Sequence, residues 1–454
     1  MTDRTTMTDR RGCEISHASA AALDGFEEAL ALFNGYFADP FARIEAVLGD
    51  SPDMPMALAL KGGLLLCSTE AAMNEKLAEV IAAGQAMAGR MTARERGHFA
   101  ALAAWHRGDL AGAGDHYARV LADHPRDLLA LQVAHQVDFF QGRSMMLRDR
   151  PASVLRAWDG SVPGFGFVLG MHAFGLEEMG EYGRAEEQGN RALALNRADA
   201  WAVHAVAHVM EMQGRTDEGA AFLEGRRDDW APESAPGNML AYHNWWHLAL
   251  HHLDTGGFDA ALAIYDTAIR PGDSRVALEL VDASAMLWRL WLRGVDVGNR
   301  FASVADAWET LADDAWYAFN DVHAMMAFVA TGRPASQDRA MASLSRAARG
   351  GGTNAMMARE VGLPASRALA AFGAGQYRAA AEQLAALHPI AHRFGGSHAQ
   401  RDVIHLTALE AATRAGDRGL ARALATQRLV QKPHSPFNQA AFARASALAA
   451  PASA

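Results

Sequence analysis

The chain has 454 residues, half of them hydrophobic, with 42 Lys and Arg against 52 Asp and Glu and a formal charge of −10. The basic residues are interspersed with acidic ones, which argues against an electrostatic grip on nucleic-acid phosphates, and no window approaches 18 uninterrupted apolar residues, which argues against a membrane-spanning helix. Two cysteines, Cys13 and Cys67, make neither a disulfide framework nor a cysteine metal site, so a reducing, cytoplasmic compartment is the default expectation.

Ala, Leu, Arg, Glu and Met dominate and most of the 15 prolines fall between helical patterns, so the elements are expected to be helices. Met1 to Arg11 are polar and lack a signal peptide's apolar stretch. Met1–Arg4 and Met7–Arg10 both read Met-Thr-Asp-Arg, which leaves the start codon open between Met1 and Met7. Residues 1–19 are expected as a flexible tail. Ala20–Phe33 and Met56–Leu66 have helical patterns and suit one or two capping pairs.

From Arg107 onward a phrase recurs: a helical stretch, a Gly with a polar neighbour, then an Ala-rich amphipathic stretch. The glycines are 108, 142, 180, 214, 256, 294, 332, 375 and 416, at intervals of 34, 38, 34, 42, 38, 38, 43 and 41. A 34-residue helix–turn–helix is the tetratricopeptide repeat, and the longer intervals are insertions. Each Gly suits the left-handed position just past a helix. Ala113, Ala185, Ala261 and Ala380 leave room for close helix packing. The expected fold is an all-α helical-repeat superhelix, a tetratricopeptide-like solenoid over 20–440 as one domain, with 441–454 a frayed tail.

The 19 histidines are not evenly spread. His204 and His208 precede Gly214 by 10 and 6 residues, His243 and His247 precede Gly256 by 13 and 9, and His323 precedes Gly332 by 9. At about 100° per residue these positions fall in one stripe roughly 100° wide on the first helices, with Glu211 at its edge. His204-x3-His208-x2-Glu211 and His243-x3-His247 each place two imidazoles one turn apart, the spacing that lets both reach one ion. The same groups could transfer protons near neutral pH, and Trp201, Trp245 and Trp246 would wall part of a pocket. Met286, Trp288 and Trp291 read as core between helices. No His-Glu-x-x-His, Gly-x-Ser-x-Gly or phosphate-loop pattern is present, and Cys67 has no evident His partner.

Several stretches resemble the tetratricopeptide repeat protein 38 family: Asp199–Gly214, Asn238–Leu250, Ala260–Asp266, Leu280–Leu290, Phe319–His323, Gly395–Val403 and Lys432–Pro436. The resemblance spans roughly 30–440 and implies a soluble helical-repeat protein with no established reaction. It marks a polar set comprising His204, His208, Glu211, His243, Asn244, His247, Asp282, Asn320, Asp321, His323, Arg401 and Asp402. Repeat signatures are ordinarily small and apolar, so this set argues for a buried polar site.

Two readings follow. In the first the concave face binds a small polar ligand or peptide segment through Asn244, Trp246, Asp282, Asn320, Asp321, Arg401 and Asp402. In the second the protein is a hydrolase or lyase. His204, His208, Glu211, His243, His247 and His323 would then be catalytic, a divalent metal being a possible cofactor on His204, His208, His243 and His247.

Overall fold

The computed structural model describes residues 6–233 and 237–449; residues 1–5 and 450–454, the outer parts of the two expected tails, lie outside the described residues. The protein is an all-α helical-repeat chain, and its only strands among the described residues are two of three residues each. All nine repeat glycines adopt positive φ, between 60° and 83°, each just past a helix. At Gly214 the turn is closed by Gly214 N–H to Glu211 O at 3.0 Å and Arg215 N–H to Met210 O at 2.8 Å, which satisfies carbonyls left open by the helix end. The polar neighbour of the Gly starts the next helix where it is Asp: Asp109 accepts from the Gly112 amide and Asp417 from that of Leu420. Ala113, Ala185, Ala261 and Ala380 are fully buried, as their role between paired helices requires. The longer intervals accommodate short extra turns between repeats, such as Leu155–Ala157, Arg227–Trp230 and Thr353–Met357.

The contacts divide the chain into two compact units where the sequence suggested one domain. The first comprises Met1–Val206 and Arg227–Ala241, the second Ala207–Arg226 and Tyr242–Ala454. In the first unit, Thr6–Thr8 pairs antiparallel with Glu14–Ser16, Met7 opposite Ile15. Residues 6–19 are therefore not a loose tail. Their polar residues are buried and paired: Arg11 with Glu27 at 2.8 Å, Asp9 with Arg94 at 3.5 Å, and Ser16 Oγ with Glu95 at 2.8 Å. Arg94 also reaches Asp127 at 2.6 Å, and the same carboxylate oxygen lies 2.8 Å from His98 Nε2. The expected pairs Ala20–Gly35 with Pro40–Asp50 and Pro55–Leu66 with Ala71–Ala86 precede the first repeat Gly. Trp201, expected to wall part of a pocket, packs within the first unit. It stacks on Tyr36 at 5.5 Å, packs on Phe174 at 4.9 Å, and its Nε1–H donates to His135 Nε2 at 3.2 Å.

In the second unit the helix Ala277–Leu292 is central. Met286 and Trp288 are fully buried, Trp288 Nε1–H donates to Thr407 Oγ1 at 2.9 Å and Arg289 donates to Ala399 O at 2.6 Å. The C-terminal helix runs Pro436–Ser446, into the start of the stretch expected to fray, because Ala441 and Ala445 are buried and Arg444 pairs with Glu410. Just before it, Ser435 Oγ donates to Asp254 at 2.7 Å and Lys432 Nζ to Glu211 at 2.8 Å, tying the end of the unit to its beginning. A Cβ on Gly214 would stand 3.1 Å from Ser435 N, so this turn glycine also admits the returning chain. No helix among the described residues is long and apolar enough to cross a membrane.

Candidate functional site

His208 sits on the helix Ala200–Met212, and His243 and His247 sit one turn apart on Ala241–Asp254. Their positions within the second unit bring the rings together: His208 and His247 centroids are 4.4 Å apart, and those of His243 and His247 are 4.9 Å apart. One nitrogen from each of the three lies within 4.8 Å of the others, and all three residues are buried. His204 precedes His208 by one turn on the same unbroken helix. It belongs to the first unit, where its ring packs 4.7 Å from Trp201 and 5.2 Å from Phe174.

Two of the rings have a carboxylate behind them. Asp282 Oδ2 lies 2.6 Å from His243 Nδ1, and Glu211 Oε2 lies 3.2 Å from His247 Nδ1. A carboxylate at Nδ1 accepts a hydrogen bond from Nδ1–H and so favours the tautomer with its lone pair on Nε2, the arrangement common behind metal-ligating histidines. Trp246 fixes the ring planes, stacking on His243 at 5.4 Å and standing edge-on to His247 at 5.0 Å. Burial and the neighbouring His208 hold the His247 imidazole well below its usual pKa, so it is neutral at pH 7. Burial alone would raise the Glu211 carboxyl, but Lys432 and the hydrogen bond to His247 hold it well below the usual range, so it is ionised.

The remaining site residues divide. Asp282 joins the histidines, and Asn244 is fully buried between His243 and His247 in sequence. Asp402 lines the same small cavity as Glu211 and Lys432, but Arg428 holds it, one nitrogen at 3.0 Å. His323 is not in the histidine group: its Nδ1 bonds Phe319 O at 2.8 Å and its ring packs on Phe319 at 4.5 Å. Asn320 and Asp321 are buried on the same Ala318–Ala330 helix. Arg401 is engaged with the Gly396 carbonyl and His398, in and beside the turn that starts its own helix.

Sequence reasoning missed Lys432, Arg428 and Arg289. Lys432 lies 221 positions from Glu211, and no local periodicity connects them. Its inclusion in the resembling stretch Lys432–Pro436 was the available signal.

Imidazoles backed by carboxylates can bind a borderline divalent ion or exchange a proton. Donors about 2.0–2.1 Å from one Zn²⁺ are separated by roughly 3.4 Å, a spacing compatible with three nitrogens that all lie within 4.8 Å of one another. No family model matches the chain. It is similar to a solved structure, the tetratricopeptide-repeat domain of P58(IPK), with 14% identity over 88% of this chain and 99% of that one, at a TM-score of 0.22. A likeness that weak adds nothing on function, and the repeat architecture rests on the helix pairs and their nine turns.

Proposed function

We propose that this helical-repeat protein binds a divalent transition-metal ion of the zinc class through His208, His243 and His247, and uses it to hold a small polar ligand. The observation that carries this reading is the convergence of three imidazoles, two of them with a carboxylate at Nδ1. The resemblance to the tetratricopeptide repeat protein 38 family supports the reading, because His208, His243, His247, Glu211 and Asp282 all fall in the polar set that it marks. Borderline ions favour imidazole nitrogen, which selects zinc-class metals over magnesium or calcium.

A second reading, a metal-dependent hydrolase, is favoured by the donor count. Three protein ligands leave one position of a tetrahedral ion for water, whose pKa an ion of this kind lowers to about 7. If another donor fills that position the site is closed and binding or structural roles remain.

The test is elemental analysis of purified, tag-free protein beside the His208→Gln/His247→Gln variant. The expected result is near-stoichiometric metal in the parent, lost from the variant while its far-ultraviolet circular dichroism is retained. Metal-free parent protein that also takes up no Zn²⁺ on titration would sink the proposal.

A further inference from the structure

A separate cavity of about 390 Å³ lies in the second unit, bordered by the helices Ala241–Asp254, Ala277–Leu292, His398–Arg414 and Pro436–Ser446. Its walls are mostly apolar, formed by Leu253, Phe258, Leu292, Leu406, Leu409 and Phe437. That size is within the range of small-molecule pockets. Its charged lining is Arg289, Arg293, Arg444, Glu410 and Asp254.

The cations are not equivalent. Arg444 and Arg414 share Glu410, Arg414 Nε at 2.8 Å. Arg289 is only 2% exposed, yet its hydrogen bonds go to backbone carbonyls, Ala285 O at 3.2 Å and Ala399 O at 2.6 Å, while its guanidinium lies 5.1 Å from the Trp246 ring centre. Among the described residues it has no ion pair, because the nearby acids are taken: Asp402 by Arg428 and Glu211 by Lys432. Arg293 likewise donates to the Leu253 carbonyl and lies 3.7 Å from the Phe437 ring centre, without an ion pair among the described residues. Asp254 accepts the Ser435 hydroxyl at 2.7 Å.

A guanidinium does not deprotonate, and burying one without a counter-charge is costly. Three arginines against two carboxylates leave the lining one positive charge in excess. A monoanion offsets that excess, and planar guanidinium forks suit a carboxylate. We propose that this cavity binds an amphiphilic carboxylate, its head at Arg289 and Arg293 and its apolar chain along Leu253, Phe258, Leu292, Leu406, Leu409 and Phe437. The site uses none of the three metal-binding histidines and stands whether or not a metal binds them.

The test is calorimetric titration of the full chain with octanoate, octanol and acetate, repeated on Arg293→Gln and on Ala440→Trp, which narrows the exposed rim without touching a charge. Octanoate is expected to bind one-to-one. Octanol and acetate should bind weaker by about tenfold or more, the worth of a charge-assisted hydrogen bond or of a buried chain. Both variants should lose octanoate by a similar factor with unchanged melting curves, and the His208→Gln/His247→Gln variant should keep it. Absence of octanoate binding at millimolar concentration overturns the proposal. So does equal binding of octanol, or octanoate binding that neither pocket variant weakens.

Discussion

Each unit buries a histidine–carboxylate assembly, and the two are built to different ends. In the first, a single carboxylate, Asp127, gathers everything: the Arg94 guanidinium at 2.6 Å, His98 at 2.8 Å and the Ala130 amide at 2.9 Å. One imidazole faces one acid and every charge has its partner, which is what a structural knot requires. In the second, two acids stand behind two rings and the rings face one another and His208. The charge there is placed to orient nitrogens toward a common point. A buried His–Asp contact is therefore no sign of chemistry by itself, and the proposed metal site rests instead on the convergence of several supported rings.

The comparison breaks most sharply at Asp127. Asp127→Ala strands a buried guanidinium, and removal of one partner from such a knot costs roughly 3–5 kcal/mol. Denaturant unfolding is expected to show that loss while metal uptake by the remaining folded protein is unchanged. Coupled loss of both would mean that the two assemblies do not act separately. Asp282→Asn should behave oppositely. It keeps shape and volume but exchanges the carboxylate at His243 Nδ1 for an amide, and outer partners of this kind are worth about 10–100-fold in metal affinity. Competition titration with a chelator reads that change, and stability should fall far less than in Asp127→Ala.

Lys432→Met sharpens the same contrast at smaller amplitude. Glu211 ionises below the ordinary carboxylate range because Lys432 and His247 outweigh its burial. A carboxyl with a depressed native pKa contributes stability above its unfolded pKa, and that contribution fades as pH falls through the native value. Without Lys432 the contribution should shrink by about 1.5–3 kcal/mol at neutral pH, the worth of a charged hydrogen bond, and the acid limb of the stability curve should begin at higher pH. Melting curves across the acidic range check it.

The repeat was legible because its turns are local: a left-handed residue one position past a helix selects Gly wherever it falls, and the sequence repeats that demand nine times. The histidine pairs were legible for the same reason, since one helical turn is four residues. What periodicity could not reach was pairing between distant segments. Asp9 and Arg11 read as solvated because they are charged, yet they are 4% and 5% exposed and paired. Lys432 closes on Glu211 only through the return of the last helices, and His323 shares the stripe by angle while its ring is committed to Phe319. A face angle states which side of a helix a residue occupies, not what the neighbouring helix places opposite it.

In each unit burial also raises the pKa of an acid with no opposing side-chain cation among the described residues, Asp199 in the first and Asp321 in the second, and these give the gentlest test. Burial pushes Asp199 in the first unit up to about 7, against hydrogen bonds from the Ala202 and Trp201 amides that lower it. Burial, with a small contribution from Asp314, pushes Asp321 in the second up to about 8. Both carboxyls thus hold a proton in the folded protein that the unfolded chain releases near pH 4. Between those values the native state binds more protons, so stability falls as pH rises, and the contribution is lost once pH passes the native pKa. Asparagine mimics the protonated acid. Asp321→Asn should therefore match the parent below about pH 4 and exceed it increasingly toward about pH 8, whereas Asp199→Asn should diverge over a range about one unit shorter because its amide bonds already favour the charged form. Parallel melting curves for parent and Asp321→Asn across that range would mean that Asp321 is ionised in the folded state and has a counter-charge of its own.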